Sequence, residues 1–320
     1  MKKRVLVTGA TGFVGEHLHR FLSKTGARVL GTYHRTFPSQ SFFSLHFERL
    51  NLSSQSSVDR LIEKYRPDFT YHLAAQSISS GSNDIAEETL MTNAGGTVYL
   101  LNALRRYVPA AKFLLASSSH SYGRTFLKKS VVTEKDALWP ENAYAVSKVM
   151  AEFSCREFSA HFNLHTIVAR SFNHMGTGQR RDLVFSDWCR QIALAEKGKR
   201  PPVLEVGNLN VERDFMHVDD VIRAYVLLMS KGQSGQVYNV CSKKNYKLRI
   251  YLDFLLRKAA VPIKIKIIAS KIRAHESKKI AGDPSKIQKL GWQPRHNVFD
   301  ALEELLIEWR HKASTMKTPV

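Results

Sequence analysis

The sequence predicts an α/β protein: a doubly wound parallel sheet with helices on both faces, joined to a smaller, discontinuous C-terminal substrate-binding domain. Three observations predict it. A short apolar strand near the start runs directly into the glycine-rich turn TGATGFVG, Thr8 to Gly15. Apolar, β-branched runs then alternate with helix-period segments as far as Arg170. A tyrosine and a lysine four residues apart, in YAVSK at Tyr144 to Lys148, stand on one of those helical segments. Such alternation gives a parallel sheet covered on both sides. Ligands of such sheets gather at the carboxyl ends of the strands.

Taken in order, Arg4 to Thr8 reads as a buried parallel strand, because it is apolar without alternation. Gly9, Gly12 and Gly15 then fall where a dinucleotide loop needs them. They serve, respectively, the tight turn, the approach of backbone to a pyrophosphate, and close helix–strand packing. Phe13, Val14, Leu18, Phe21 and Leu22 recur at helical spacing, and a helix N-terminus offers N–H groups and a dipole to an anion. Arg28 to Tyr33 is the second strand. It ends on His34 and Arg35 rather than on a carboxylate for a ribose 2′-hydroxyl. A guanidinium is thereby placed for a 2′-phosphate, which favours NADP(H) over NAD(H). Ser53 to Ser57 reads as the cap of the next helix. Phe69 to Leu73 is a strand ending at Ala74-Ala75-Gln76, and Thr92 to Tyr107 belongs to a long helix with Val98, Leu101 and Leu104 on one face. Lys112 to Ala116 is a strand ending in Ser117-Ser118-Ser119, Ala145 to Phe162 a helix, and His165 to Arg170 a strand. Beyond Arg170 the pattern loosens into short strands at Val203 to Val206 and Gln236 to Val240, with helices at Val218 to Met229 and near Leu302 to Trp309. The expected division gives residues 1–170, with about 211–242, to the nucleotide, and about 171–210 and 243–320 to the substrate.

At 320 residues the chain buries a large core. No stretch is long and apolar enough to span a membrane. The Met-Lys-Lys-Arg start resembles a signal n-region but is followed at once by a strand and the glycine turn, so a cytoplasmic protein is expected. Cys155, Cys189 and Cys241 fit neither a disulfide nor a metal framework and are expected to be reduced. The formal charge of +20 and pI near 9.9 raise the question of nucleic acid. The basic residues are spread along the chain, however, and no recognition motif accompanies them. They read as a basic surface with a site for an anionic nucleotide, and specific nucleic-acid binding is not expected; weak, salt-sensitive adhesion is.

Tyr144 and Lys148 share one helix face. A neighbouring ammonium favours the phenolate and is expected to lower the tyrosine pKa, and a tyrosine so tuned exchanges a proton with a carbinol oxygen. Lys148 can also bond a nicotinamide ribose, and Ser118, at a strand end, can bond the same substrate oxygen. Asp214 and Asp220 are expected to order structure, and Trp292 to pack.

These residues resemble the extended short-chain dehydrogenase/reductase family over nearly the whole chain. The resemblance lies in TGATGFVG, HLAAQS at His72 to Ser77, TNAGGTVYLLNAL at Thr92 to Leu104, and YAVSK. It implies a Rossmann-type fold, a tightly held nicotinamide cofactor and a Ser118/Tyr144/Lys148 triad. It implies cofactor contacts from Thr11, Phe13 and Val14 as well as the three glycines, from Asn51 and Leu52, from Leu73, Ala74 and Ala75, and from Tyr144 and Lys148. Asn51 stands where the family commonly has Asp. The second half is similar to the group acting on GDP-mannose derivatives, the GDP-mannose 4,6-dehydratases and GDP-4-keto-6-deoxy-D-mannose reductases. The similar segments are RSFNHMGTGQ at Arg170 to Gln179, VGNLNVERDFMHVDDVIRAY at Val206 to Tyr225, GQVYNVCS at Gly235 to Ser242, and RAHE at Arg273 to Glu276 followed by GDPSK and LGWQP. That likeness implies substrate contacts from Gln76, Ser119 and Asn173, pyrophosphate contacts from Arg213 and Arg273, and a ribose contact from Glu276. It also implies a homodimer through the helices around Thr92 to Tyr107 and Ala145 to Phe162.

Dehydratases, epimerases and reductases share this scaffold. The dehydratases place a Glu two residues after the triad Ser or Thr, and here that position is His120. The missing carboxylate counts against dehydration and leaves reduction as the simplest chemistry, with a dehydratase or epimerase using His120 as the alternative. The expected reaction is transfer of hydride from NADPH to C4 of a GDP-4-keto-6-deoxyhexose, giving GDP-D-rhamnose or its C4 epimer.

Overall fold

The computed structural model describes residues 2–35, 46–76, 85–272 and 276–316. The first strands along the chain are β1 (Arg4–Thr8), β2 (Arg28–Tyr33), β3 (His46–Arg49), β4 (Phe69–His72), β5 (Lys112–Ser118) and β6 (His165–Ser171). Between them run α1 (Phe13–Ser23), α2 (Gln55–Tyr65), α3 (Ala86–Leu90), α4 (Gly96–Tyr107), a short α5 (Thr125–Lys128) and the long α6 (Ala143–Phe162). Next come β7 (Asn173–Met175), α7 (Val184–Glu196), β8 (Val203–Val206), β9 (Glu212–His217), α8 (Val218–Lys231) and β10 (Gln236–Val240). The remainder supplies β11 (Asn245–Lys247), α9 (Leu248–Lys258), β12 (Lys264–Ile267), β13 (Lys279–Ile280), α10 (Ser285–Gln288) and α11 (Val298–Thr315).

Strands β1 to β6 and β10 form one sheet in the order β10-β6-β5-β4-β1-β2-β3. Every neighbouring pair is parallel. This is the Rossmann-type doubly wound arrangement. Successive side chains leave opposite faces of a strand, and both faces are covered. Val5, Val7, Leu114 and Ile167 enter one core with residues of α1 and α8. Leu6, Phe113, Leu115 and Val168 enter the other with residues of α2, α4 and α6. That is why these strands are apolar throughout rather than alternating. The strand order reverses between β1 and β4, and a crevice opens above such a reversal.

Ser54 caps α2 by accepting from the Ser57 amide at 3.3 Å, and Asn142 caps α6 by accepting from the Ala145 amide at 2.8 Å. The helix expected over Thr92 to Tyr107 begins earlier, at Ala86, and contains a π turn over Met91–Gly95. Such a turn re-aims side chains within a continuous helix.

The later elements build separate, smaller sheets. Strand β9 pairs with β7, β11 and β13, and β8 pairs with β12. Phe185, Trp188, Tyr251, Leu302 and Trp309 bring α7, α9 and α11 into one core beneath them. Two buried carboxylates fasten loops here. Asp214 accepts from the Ser242 amide at 2.9 Å, the Ser242 hydroxyl at 2.7 Å and the Lys243 amide at 2.8 Å. Asp220 accepts from the amides of Arg295 and His296 at 3.0 and 2.9 Å, and the Trp292 indole N–H donates to its carbonyl at 3.1 Å.

His19 and His72 are buried neutral. His19 packs flat on Phe47, ring centroids 4.8 Å apart, and is fully buried. Burial pulls its pKa down to about 4. His72, at the end of β4, is pulled to about 3 by burial, with the Lys148 charge adding to the effect. Unfolded histidine titrates near 6.5, so below that pH the unfolded chain takes up protons that the folded chain refuses. Stability is therefore fully present above about pH 6.5 and falls as pH drops toward 4. Urea denaturation at pH 7 and pH 5 is expected to show this loss. In His19→Leu the difference between the two pH values shrinks by an amount on the order of 2 kcal/mol.

Candidate active site

The turn from β1 to α1 has the shape its glycines predict. Gly9 has φ +68°, and a Cβ there would lie 2.7 Å from the Ala74 Cα. A Cβ on Gly15 would lie 2.1 Å from the Gly9 carbonyl oxygen. Only glycine fits at either place. Helix α1 starts after Gly12, with no side chain bonded across its N-terminus. The loop Gly9 to Gly15, with Thr11, Phe13 and Val14, thus presents backbone N–H groups and a helix dipole toward the crevice, a donor set suited to a pyrophosphate. Leu73, Ala74 and Ala75 form the half-buried opposite wall. Leu52 packs against Gly96, where a Cβ would come within 2.9 Å, and the Asn51 side chain accepts from the Ser53 amide at 3.1 Å. Among the described residues these features fit a dinucleotide.

At the end of β2, His34 and Arg35 are exposed. The Arg35 guanidinium is 3.6 Å from the Glu88 carboxylate. Arg49, which sequence reasoning missed, lies in register with Tyr33 on β3 and donates to the His34 carbonyl at 3.2 Å. Two guanidinium groups thus flank this edge. Its partner strand β3 is four residues long and polar at both ends, so periodicity gave no signal for it.

The ends of β1 and β4 are joined by a chain of hydrogen bonds. Thr8 Oγ1 accepts from the Ala74 amide at 3.3 Å and lies 2.7 Å from His72 Nδ1. His72 Nε2 lies 3.1 Å from Thr97 Oγ1, which donates to the Asn93 carbonyl at 2.6 Å. These partners select the Nε2–H tautomer, with Thr8 donating to Nδ1. Asn93, on the π turn, accepts from the Gln76 amide at 2.8 Å and donates to the Gln76 carbonyl at 3.2 Å and to Ser147 Oγ at 2.9 Å. The Gln76 side chain donates to Glu88 at 2.7 Å and accepts from Thr89 at 3.0 Å. Asn93 braces Gln76 against α6, a role that the π turn creates and that the Thr92 to Leu104 motif does not by itself reveal.

The predicted triad converges. Ser118 ends β5, Tyr144 and Lys148 lie in the first turns of α6, and the Tyr144 hydroxyl faces the Ser118 side chain, which itself accepts from the His120 amide at 3.2 Å. Lys148 Nζ donates to the Ala116 carbonyl at 2.8 Å and lies 5.8 Å from the Tyr144 ring centroid. The expectation of a lowered tyrosine pKa is corrected here. Burial raises it, the neighbouring Ser118 hydroxyl opposes only in part, and burial likewise pulls Lys148 down to about 8. The phenol is held protonated. His120 is half-buried on the short turn after β5, its ring edge-on to Tyr144 with centroids 6.2 Å apart. Ser119 beside it is buried.

The segment carrying Asn173 crosses the nucleotide loop. His174 stacks on Phe13 with centroids 6.0 Å apart, and His17 of α1 lies 3.0 Å from the Thr177 carbonyl. Arg213 and Glu276, expected on different parts of a nucleotide, are bonded to each other at 2.8 Å. Arg213 also donates to the Ser277 carbonyl at 2.9 Å. Arg273 lies outside the described residues.

Comparison with known proteins gives one consistent picture. The family model described as GDP-mannose 4,6 dehydratase matches residues 6–305. The GDP-6-deoxy-D-mannose reductase of Pseudomonas aeruginosa is 33% identical over 315 residues, covering 98% of this chain and 99% of that protein. The GDP-mannose 4,6-dehydratase of Vibrio cholerae is 26% identical, covering 96% and 94%. The solved structure of RMD from Pseudomonas aeruginosa, complexed with NADPH, superposes with a TM-score of 0.86 at 32% identity, covering 97% of this chain and all of that one (100%).

The Arg35 geometry yields a direct check. In Arg35→Ser, NADPH affinity measured by fluorescence is expected to fall about 10-fold or more, the worth of one charge-assisted phosphate contact, with NADH affinity little changed.

Proposed function

The chain belongs to the GDP-mannose 4,6 dehydratase family of extended short-chain dehydrogenase/reductases, and on that premise we propose that it reduces the C4 ketone of a GDP-4-keto-6-deoxyhexose with NADPH. The observation that carries this reading is the Ser118–Tyr144 pair. The half-buried Tyr144 phenol, held protonated beside Ser118, can give its proton to a substrate oxygen, and the position that would hold a dehydratase carboxylate holds His120 instead. The resemblance to the Pseudomonas reductase supports the same choice.

In this reading Gly9 to Gly15, Leu73 to Ala75 and Arg35 hold NADPH, whose bound nicotinamide supplies hydride to C4. Ser118 bonds the ketone oxygen and orients it toward Tyr144. Tyr144 gives its proton to that oxygen as negative charge develops there, and the Lys148 ammonium stabilises the phenolate left behind. Asn93 and Gln76 keep the cleft wall in register with α6. Arg213 and Glu276, already paired, need only rotate partners to meet a diphosphate and a diol. The product is a GDP-6-deoxyhexose, GDP-D-rhamnose or its C4 epimer. A cytoplasmic setting belongs to the same reading, since the three cysteines are buried free thiols.

The protein is also proposed to act as a homodimer. Met150, Phe153 and Phe162 on α6 and Met91 beside α4 are large apolar side chains 41–55% exposed, and their helices lie side by side. A second copy would bury that patch. In Phe153→Glu, sedimentation at micromolar concentration is expected to show a shift from dimer to monomer; a wild-type protein that sediments as a monomer would refute the dimer.

Product analysis with GDP-4-keto-6-deoxymannose plus NADPH, beside GDP-mannose alone, tests the reaction. NADPH is expected to be consumed only with the keto sugar, and Tyr144→Phe to lower kcat by about 100-fold or more. Conversion of GDP-mannose without added reductant would instead indicate a dehydratase if water is lost, or an epimerase if mass is unchanged.

A further inference from the structure

One stripe of α6 grips the last three residues of β5. Tyr144, Lys148 and Glu152 stand at i, i+4 and i+8, on successive turns of one face. Tyr144 faces the Ser118 side chain, Lys148 donates to the Ala116 carbonyl at 2.8 Å, and Glu152 accepts a hydrogen bond from the Ser117 hydroxyl. Glu152 also accepts from the Ser121 hydroxyl at 3.3 Å, so its carboxylate is tied to the chain on both sides of Ser118 and His120. Arg170, on β6, donates to it at 2.6 and 2.9 Å. Arg170 is itself braced by the Tyr122 hydroxyl at 3.0 Å, and Tyr122 donates to Asn239 at 2.7 Å. Glu152 is 1% exposed. A carboxylate buried to this depth is costly to desolvate, and an apolar pair of similar size would fill the same space.

We propose that Glu152 is a positioning residue: through Ser117 and Ser121 it clamps the end of β5, and with it fixes Ser118, Tyr144 and Lys148 in one register. The proposal rests on the assignment of those three as the reacting groups. A second consequence concerns Lys148. The groups facing it are Tyr144, Glu152 and Cys155 from its own helix and His72 from β4. Burial keeps the Cys155 thiol protonated and His72 neutral, so Glu152 is the anion of the set. Its charge favours the Lys148 ammonium against the larger pull of desolvation, and Arg170 pairs with the same carboxylate at 2.6 Å.

Two variants separate positioning from folding. Ser117→Ala keeps the ion pair and removes one clamp. The double exchange Glu152→Gln with Arg170→Met removes both charges without stranding either. Both are expected to bind NADPH within about threefold of wild type. In Ser117→Ala, kcat is expected to fall about tenfold, and in the double variant about 100-fold, with KM for the sugar changed far less. The basic limb of the kcat profile moves down by about one pH unit in the double variant and stays in place in Ser117→Ala. A readout independent of turnover is the titration of the lysine Cε resonance that disappears in Lys148→Met, which is expected to move to lower pH in the double variant. Folded variants with wild-type kcat, pH profile and Lys148 titration would overturn the proposal. Should the double variant not fold, an unchanged kcat in Ser117→Ala overturns it alone. If the wild-type protein fails to reduce the keto sugar, the reductase reading fails, and the lysine titration still judges Glu152.

Discussion

A buried polar layer runs along the carboxyl edge of the seven-stranded sheet, and the cleft depends on each of its members being satisfied. Thr8, His72, Thr97 and Asn93 form one chain of hydrogen bonds, and Asn93 passes it on to Gln76 and Ser147. Ser147 donates to the Tyr144 carbonyl at 2.7 Å. The nucleotide turn, the cleft wall and the first turn of α6 are thereby set relative to one another by groups that have no water to fall back on. An unsatisfied donor in such a layer costs more than the bond itself contributes. The π turn at Met91–Gly95 is part of this layer, because it places Asn93 within reach of both Gln76 and Ser147.

Burial also sets the charge states at the site. It holds the Tyr144 phenol protonated and weakens the Lys148 ammonium. A proton donor for a developing alkoxide needs the first of these, and a balance that keeps the lysine charged needs a nearby anion. The Glu152–Arg170 pair supplies that anion inside the fold, away from solvent and salt. The formal charge of +20 has no comparable role at the centre. Many of its side chains lie on the surface, where screening leaves them little energetic weight.

Much of the fold was legible because it rests on local chemistry. The glycine turn requires a positive φ at Gly9 and no Cβ at Gly15, and no other residue type meets those conditions. The continuous apolar strands follow from helices on both faces. Ser54 and Asn142 are helix caps readable from residue type. Elements whose stabilisation comes from elsewhere were missed. Strands β3, β11 and β13 are too short to show a period and are held by pairing with β2 and with β9; helices α7 and α9 do carry an apolar face, which sequence reasoning passed over and which packs into the aromatic core around Phe185 and Tyr251.

The sequence by itself determined the sheet class, the nucleotide turn, the chemical identity of Ser118, Tyr144 and Lys148, and the basic edge at Arg35, because each depends on residue type at short spacing. Only the tertiary structure decided what those groups experience. It paired Arg213 with Glu276, set Arg35 against Glu88, and added Arg49 and Asn93 to the cleft. It also reversed the expected shift of the Tyr144 pKa. Desolvation and long-range pairing depend on which segments fold over a residue, and that information is spread over contacts tens of residues apart rather than written beside the residue itself.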